Sequence, residues 1–177
     1  MSVAASRYAK ALIDVLYPHK AESGLEQLQT VSSVLKDQPD IRRVFENPTI
    51  SAERRKALLK EVGDAFNLTL AIRNFLNLLI ERNRIDLIDE IAQVYQNLLD
   101  KKLGIVRARV TSAFPLDFNQ QREVAAKLQA ATGKVVRMEL STNPSLIGGV
   151  VAEVGSTIYD GSIRQQLRSF RNSVVND

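Results

Sequence analysis

Few residues in this chain have the types and spacing for chemistry, and each set has a structural reading beside the chemical one. Glycines at 148, 149, 155 and 161 suggest a phosphate-cradling loop. Such a loop needs closely spaced glycines leading into a helix, usually with Lys and Ser or Thr. Here Val150, Val151 and Val154 follow the Gly pair, so a strand comes next and the basic signature is missing. These glycines read instead as tight turns and close backbone approaches. His19 is the single histidine and there is no cysteine, so zinc sites of the usual kinds, thiol catalysis and disulfides are all excluded. Its place after Pro18 suits a solvent-facing helix end. Asp86, Asp89 and Glu90 could pair as acid and base, but they fall near a helix start, where the dipole favours acidic side chains. No nucleophile context of the Gly-x-Ser-x-Gly kind is present. The residues point away from an enzyme.

The basic residues divide in the same way. Arg54-Arg55-Lys56 and Lys101-Lys102 are short runs on helices and read as solvated. Arg164, Arg168 and Arg171 recur at i, i+4 and i+7 beside an apolar stripe. They read either as a solvated flank or as a contact for an acidic partner. The chain carries 24 basic and 20 acidic residues, net +4, with 15 against 14 up to Gly104 and 9 against 6 after it. That mild excess lacks the clustered patch of a nucleic-acid binder. Hydrophobic residues at 45% and charged residues at 25% place the chain among ordinary globular proteins. No signal-peptide pattern opens it, and no run approaches the roughly 18 apolar residues of a membrane span.

Positions 3–103 carry helical periodicity with short breaks. Ala4, Tyr8, Ala11, Leu12 and Val15 share one face of a first helix, which Pro18 ends. Leu25, Leu28, Val31 and Leu35 mark a second, and residues 40–46 a short third. Ser51 suits the N-cap of a fourth, with Leu58, Leu59, Val62 and Phe66 as its apolar positions. The fifth covers 68–82 and the sixth 85–103. Connections this short predict packing around one core. The fifth helix has two apolar stripes: Ile72, Phe75, Leu76 and Leu79, and then Ala71, Asn74, Leu78 and, less cleanly, Phe75. A surface helix needs one. The surplus means complete burial, which the residues alone make the default, or a groove for a partner helix. Alanines 4, 5, 9 and 11 give the first helix a similar surplus.

After Gly104 the pattern changes to the strict alternation IVRARV, a half-buried strand. Asp117 and Gln120 open a helix with Val124, Leu128 and Ala131 inside, Gly133 closes it, and 135–140 form another strand. The stretch LIGGVVAEVGSTIYDGSIRQQLRSFR then reads as a hairpin turning at Gly155-Ser156, followed by a helix capped by Ser162 and Gln165. Ile163, Leu167, Phe170 and Val174 form the apolar stripe of that helix. The expected architecture is two domains: an all-α six-helix bundle over 1–104 and a small α+β domain over 105–177.

Three stretches carry a family resemblance. GGVV with IYDGSIRQQLRSF resembles the C-terminal signature of the delta subunit of bacterial F-type ATP synthases, whose mitochondrial counterpart is the oligomycin-sensitivity-conferring protein. SRYAKALIDVL, with Tyr8, Ala9, Lys10 and Ala11, is similar to the family's first helix. NFLNLLIERNRIDLIDEI is similar to its fifth-to-sixth helix junction, with Arg82 before Asn83 and Ile85 where Leu is commoner. The resemblance implies a non-catalytic stator subunit with no cofactor, one copy per complex, at the cytoplasmic face of the plasma membrane. It also turns the surplus face of the fifth helix from burial towards a partner groove. That groove would grip the alpha subunit's N-terminal helix through Tyr8, Ala11, Leu12, Val15, Asn74, Leu78 and Leu79. The C-terminal domain would bind the C-terminal helices of b, or of a b/b′ pair, through Val150, Val151, Ile158, Ile163, Arg164 and Leu167. Neither nucleic acid nor direct membrane insertion is implied. The competing reading is a stand-alone helical regulatory or RNA-binding protein with a basic C-terminal domain, which would bind nucleic acid in a salt-sensitive way.

Overall fold

The computed structural model of the chain describes residues 2–163 and residue 165. It divides into two compact units, 1–99 and 100–177. The first is helical among the described residues: α1 (Val3–Leu16), α2 (Ala21–Asp37), α3 (Pro39–Glu46), α4 (Ala52–Ala65), α5 (Leu70–Glu81) and α6 (Ile88–Leu103), with α6 running past the unit boundary. A 3₁₀ turn, Ile85–Leu87, precedes α6 where the sequence predicts continuous helix. Three of the helix starts are chemically marked. The Ser2 hydroxyl accepts from the Ala4 amide at 3.1 Å, Ser51 caps α4, and Pro39 occupies the first turn of α3.

Leu25, Leu28, Val31 and Leu35 of α2 point into the core with Ile72, Leu76, Leu79 and Ile80 of α5 and Ile88 and Ile91 of α6. Tyr95 is fully buried and donates to the Ala21 carbonyl at 3.0 Å, which joins α6 to the start of α2. Burial pushes its phenol up to about 12. The core face of α1 is Ala5, Ala9, Leu12, Ile13 and Leu16. One expectation changes here. Arg55 is not solvated: it is buried and donates to the Phe45 carbonyl at 3.2 Å and the Asn83 side-chain oxygen at 2.9 Å.

The second unit holds a four-stranded sheet in the order β2-β1-β3-β4: β1 (Ile105–Ser112), β2 (Val135–Thr142), β3 (Val150–Val154) and β4 (Thr157–Asp160). β1 and β2 are parallel, joined through α7 (Phe118–Thr132), and β1–β3 and β3–β4 are antiparallel. Asp117 and Gln120 form a reciprocal capping box at the start of α7, and Gly133 ends it at φ 65°. Ala108, Val110 and Ala152 meet Leu128 beneath the sheet. Ala131, predicted inside, is exposed. The second compact unit begins at Asp100, inside α6. A physical link accompanies that placement: Arg107 Nε donates to the Asp100 carboxylate at 2.5 Å, tying the last turn of α6 to β1.

Candidate functional site: a groove between two helices

α5 has one face too many for its core. Ile72, Leu76, Leu79 and Ile80 are fully buried, whereas Ala71, Asn74 and Leu78 are not. α1 behaves alike: with Ala5 and Ala9 turned inward, Tyr8, Ala11 and Val15 are left outside the core. The two surplus faces border one cavity of about 650 Å³, lined by Tyr8, Ala11, Leu12, Val15 and Lys20 on one side and Leu70, Ala71, Asn74, Phe75 and Leu78 on the other. Val15 is 75% exposed, Leu70 73% and Leu78 39%, so the wall is apolar surface that the chain itself leaves open.

Tyr8, Ala11, Leu12, Val15, Asn74 and Leu78 therefore lie together. Leu79 does not: it is fully buried in the core, one residue and about 100° round the helix from Leu78. Lys20 and Leu70 are lining residues that the sequence reading missed. Each had a signal. Leu70 continues the stripe of Asn74 and Leu78 at four-residue spacing, and Lys20 stands at the N-cap of α2, where the helix dipole disfavours a cation.

The polar lining is sparse. No side-chain hydrogen bond or ion pair joins the Tyr8 hydroxyl, the Asn74 amide or the Lys20 ammonium to a described residue. Such a site can seat an apolar ridge and answer a few acceptors. Two of the three carboxylates considered for catalysis, Asp89 and Glu90, are engaged elsewhere. Burial raises the Asp89 carboxyl, but the Ser32 hydroxyl at 2.5 Å with Lys36 and Arg42 outweighs it, and the group is held below the usual range. Glu90 accepts from the Ser2 amide at 2.8 Å.

In the second unit the described side chains named for b lie on both sides of the sheet. Val150 lies on the α7 side of the sheet, packed against Ala108, Val110, Leu128 and Ala152. Val151 and Ile158 lie on the opposite side, with Ile158 65% exposed beside the Arg109–Glu153 ion pair. Ile163 is partly exposed and packs over Gly148, whose backbone carbonyl accepts from its amide at 3.1 Å. Arg164 and Leu167 lie outside the described residues, as do Arg168, Arg171 and the rest of that stripe. The glycines sit where turns and close approaches require them: Gly149 at φ 84° against Gly161 and Gly155 at φ 61° in the hairpin.

Residues 4–174 match the family model for the ATP synthase delta (OSCP) subunit. The chain belongs to that family. It is 38% identical over 175 residues to ATP synthase subunit delta of Anaeromyxobacter dehalogenans, covering 98% of each chain. It is 38% identical over 163 residues to ATP synthase subunit delta 2 of Syntrophotalea carbinolica, covering 92% of this chain and 91% of that one. In fold it is similar to a chain of the Toxoplasma gondii mitochondrial ATP synthase hexamer, with a TM-score of 0.66, 24% identity, and 99% and 98% of the two chains covered. A member of the OSCP/delta family is a non-catalytic stalk subunit of ATP synthase and a peripheral part of the membrane complex. Among the described residues no helix is long and apolar enough to cross a membrane.

Proposed function

We propose that this subunit holds the catalytic head of ATP synthase to the peripheral stalk on the cytoplasmic face, with the α1–α5 groove receiving the N-terminal helix of an alpha subunit. The observation that carries this reading is the pair of uncovered apolar faces on α1 and α5 around one cavity. A bound amphipathic helix would place residues at i, i+3, i+4 and i+7 against Val15, Leu70, Ala71 and Leu78. The second unit takes the C-terminal helices of the b subunits, with Val151 and Ile158 on the side of the sheet away from α7 and Ile163 at its end as the contacts. Two attachments within one assembly reinforce each other through effective concentration, so neither needs high affinity alone. Held at both places, the head resists the torque of the rotor and proton flow drives ATP synthesis.

The experiment is calorimetric titration of the full chain with a synthetic peptide of the same organism's alpha-subunit N-terminal helix. Saturable one-to-one binding, abolished by Leu78→Asp with the helical signal intact, supports the reading. Equal binding by wild type and Leu78→Asp would place the alpha contact elsewhere.

A further inference from the structure

The lining of the groove is apolar along its length but not symmetric between its ends. Thr69, immediately before α5, donates its amide to Gln27 Oε1 in the second turn of α2 at 2.8 Å. An added methyl at Gly24 of α2 would meet Leu16 of α1, so the start of α2 also packs on the end of α1. The beginning of α5 and the end of α1 thus share one end of the groove, and α1 and α5 run antiparallel along it. Lys20, in the turn between α1 and α2, stands at that end with Val15 and Leu70, and Leu78 lies about 12 Å further along α5.

A helix laid between two antiparallel helices is parallel to one wall and antiparallel to the other, so the dipoles of the two walls do not choose between its directions. The charge on Lys20 does. Its ammonium has no partner among the described residues, and it sits at the N-cap of α2, where the dipole of its own helix disfavours it. The carboxyl end of a bound helix would meet it with up to four unpaired carbonyls and partial negative charge, whereas the amino end brings unpaired N–H groups of the wrong sign. We propose that Lys20 sets the direction of the helix in the groove by capping its carboxyl end over the α1–α2 turn. This rests on the reading of the groove as a helix site and adds the polarity that reading leaves open. Asn74, the polar residue in the middle of the α5 wall, then meets the centre of the helix.

The test uses the full chain and the alpha N-terminal peptide, blocked at both termini to remove end charges and carrying a spin label at either its first or its last residue. The carboxyl-end label is expected to broaden the amide signals of Lys20 and Leu70, and the amino-end label those near Leu78. Lys20→Ala should weaken binding by roughly fivefold, Lys20→Glu more, and Lys20→Arg little. The reverse pattern of broadening, or a wild-type affinity in Lys20→Glu, overturns the proposal while leaving the groove intact. A wild-type chain that binds no peptide removes the groove reading and this one together.

Discussion

Tyr8 of α1 meets Phe75 of α5 edge to face, with ring centroids 6.3 Å apart and planes at 75°. Phe75 is buried and Tyr8 half-buried, so the pair joins the core to the groove wall. Phe75→Ala should lower the unfolding free energy by about 3 kcal/mol. A double-mutant cycle with Tyr8→Ala, followed by urea titration, should return a coupling of about 1 kcal/mol.

Leu78 and Leu79 are adjacent in sequence and opposite in burial. Leu79→Ala should cost about 2–5 kcal/mol by opening a cavity in a closed core. Leu78→Ala removes a side chain that is 39% exposed and should change stability by less than about 1 kcal/mol while weakening peptide binding. Urea unfolding and calorimetry on both variants separate the two effects, and equal destabilisation would show that Leu78 supports the fold.

Arg54, Arg55 and Lys56 look alike in sequence, but only Arg55 is buried. Arg55→Ala strips partners from the Phe45 carbonyl and Asn83 and should cost about 3 kcal/mol. Arg54→Ala, on the exposed side, should stay within about 0.5 kcal/mol. Lys56 pairs with Glu81 at the surface, so Lys56→Ala should cost little, and less still in high salt. Thermal melts of the three single variants check the order.

Asp89 makes stability depend on acid. Its carboxyl is held below the usual value in the folded chain, so its stabilising contribution is complete above the unfolded value of about 3.9. That contribution falls away as pH drops through the lower folded value. Asp89→Asn should therefore be less stable than wild type at neutral pH, with the difference shrinking towards pH 2. Urea midpoints measured across this range test it, and a constant difference would mean that Asp89 does not titrate with folding.

Gly149 and Gly155 both have positive φ, at 84° and 61°, but differ in what surrounds them. A methyl group at Gly149 would lie 2.4 Å from the Gly161 carbonyl oxygen, while one at Gly155 meets nothing within 4 Å. Gly149→Ala should disrupt the sheet unit, and Gly155→Ala should cost only the backbone strain of about 1 kcal/mol. Amide spectra should show the Gly149 change spreading through β3 and β4.

Much of this was legible from periodicity. The second stripe of α5 was visible as Ala71, Asn74, Phe75 and Leu78, and all four line the groove. The β3–β4 hairpin follows the residues read for it, because Gly155 supplies the positive φ its turn requires. Which of Leu78 and Leu79 faced inward was not legible, since both are leucines on a helix that is apolar over most of its circumference. Arg55 was hidden for a different reason: one of its partners, Asn83, lies 28 residues away, and a basic run carries no trace of that contact. Val150 and Val151 were read as one contact, yet the pleat of β3 turns them to opposite sides of the sheet.

The open groove also bears on the life of the chain before assembly. Val15, Leu70 and Leu78 form contiguous apolar surface whenever no partner covers them. While the groove is uncovered that surface stays in water, and exposed apolar patches of this kind are where self-association or capture by a chaperone begins.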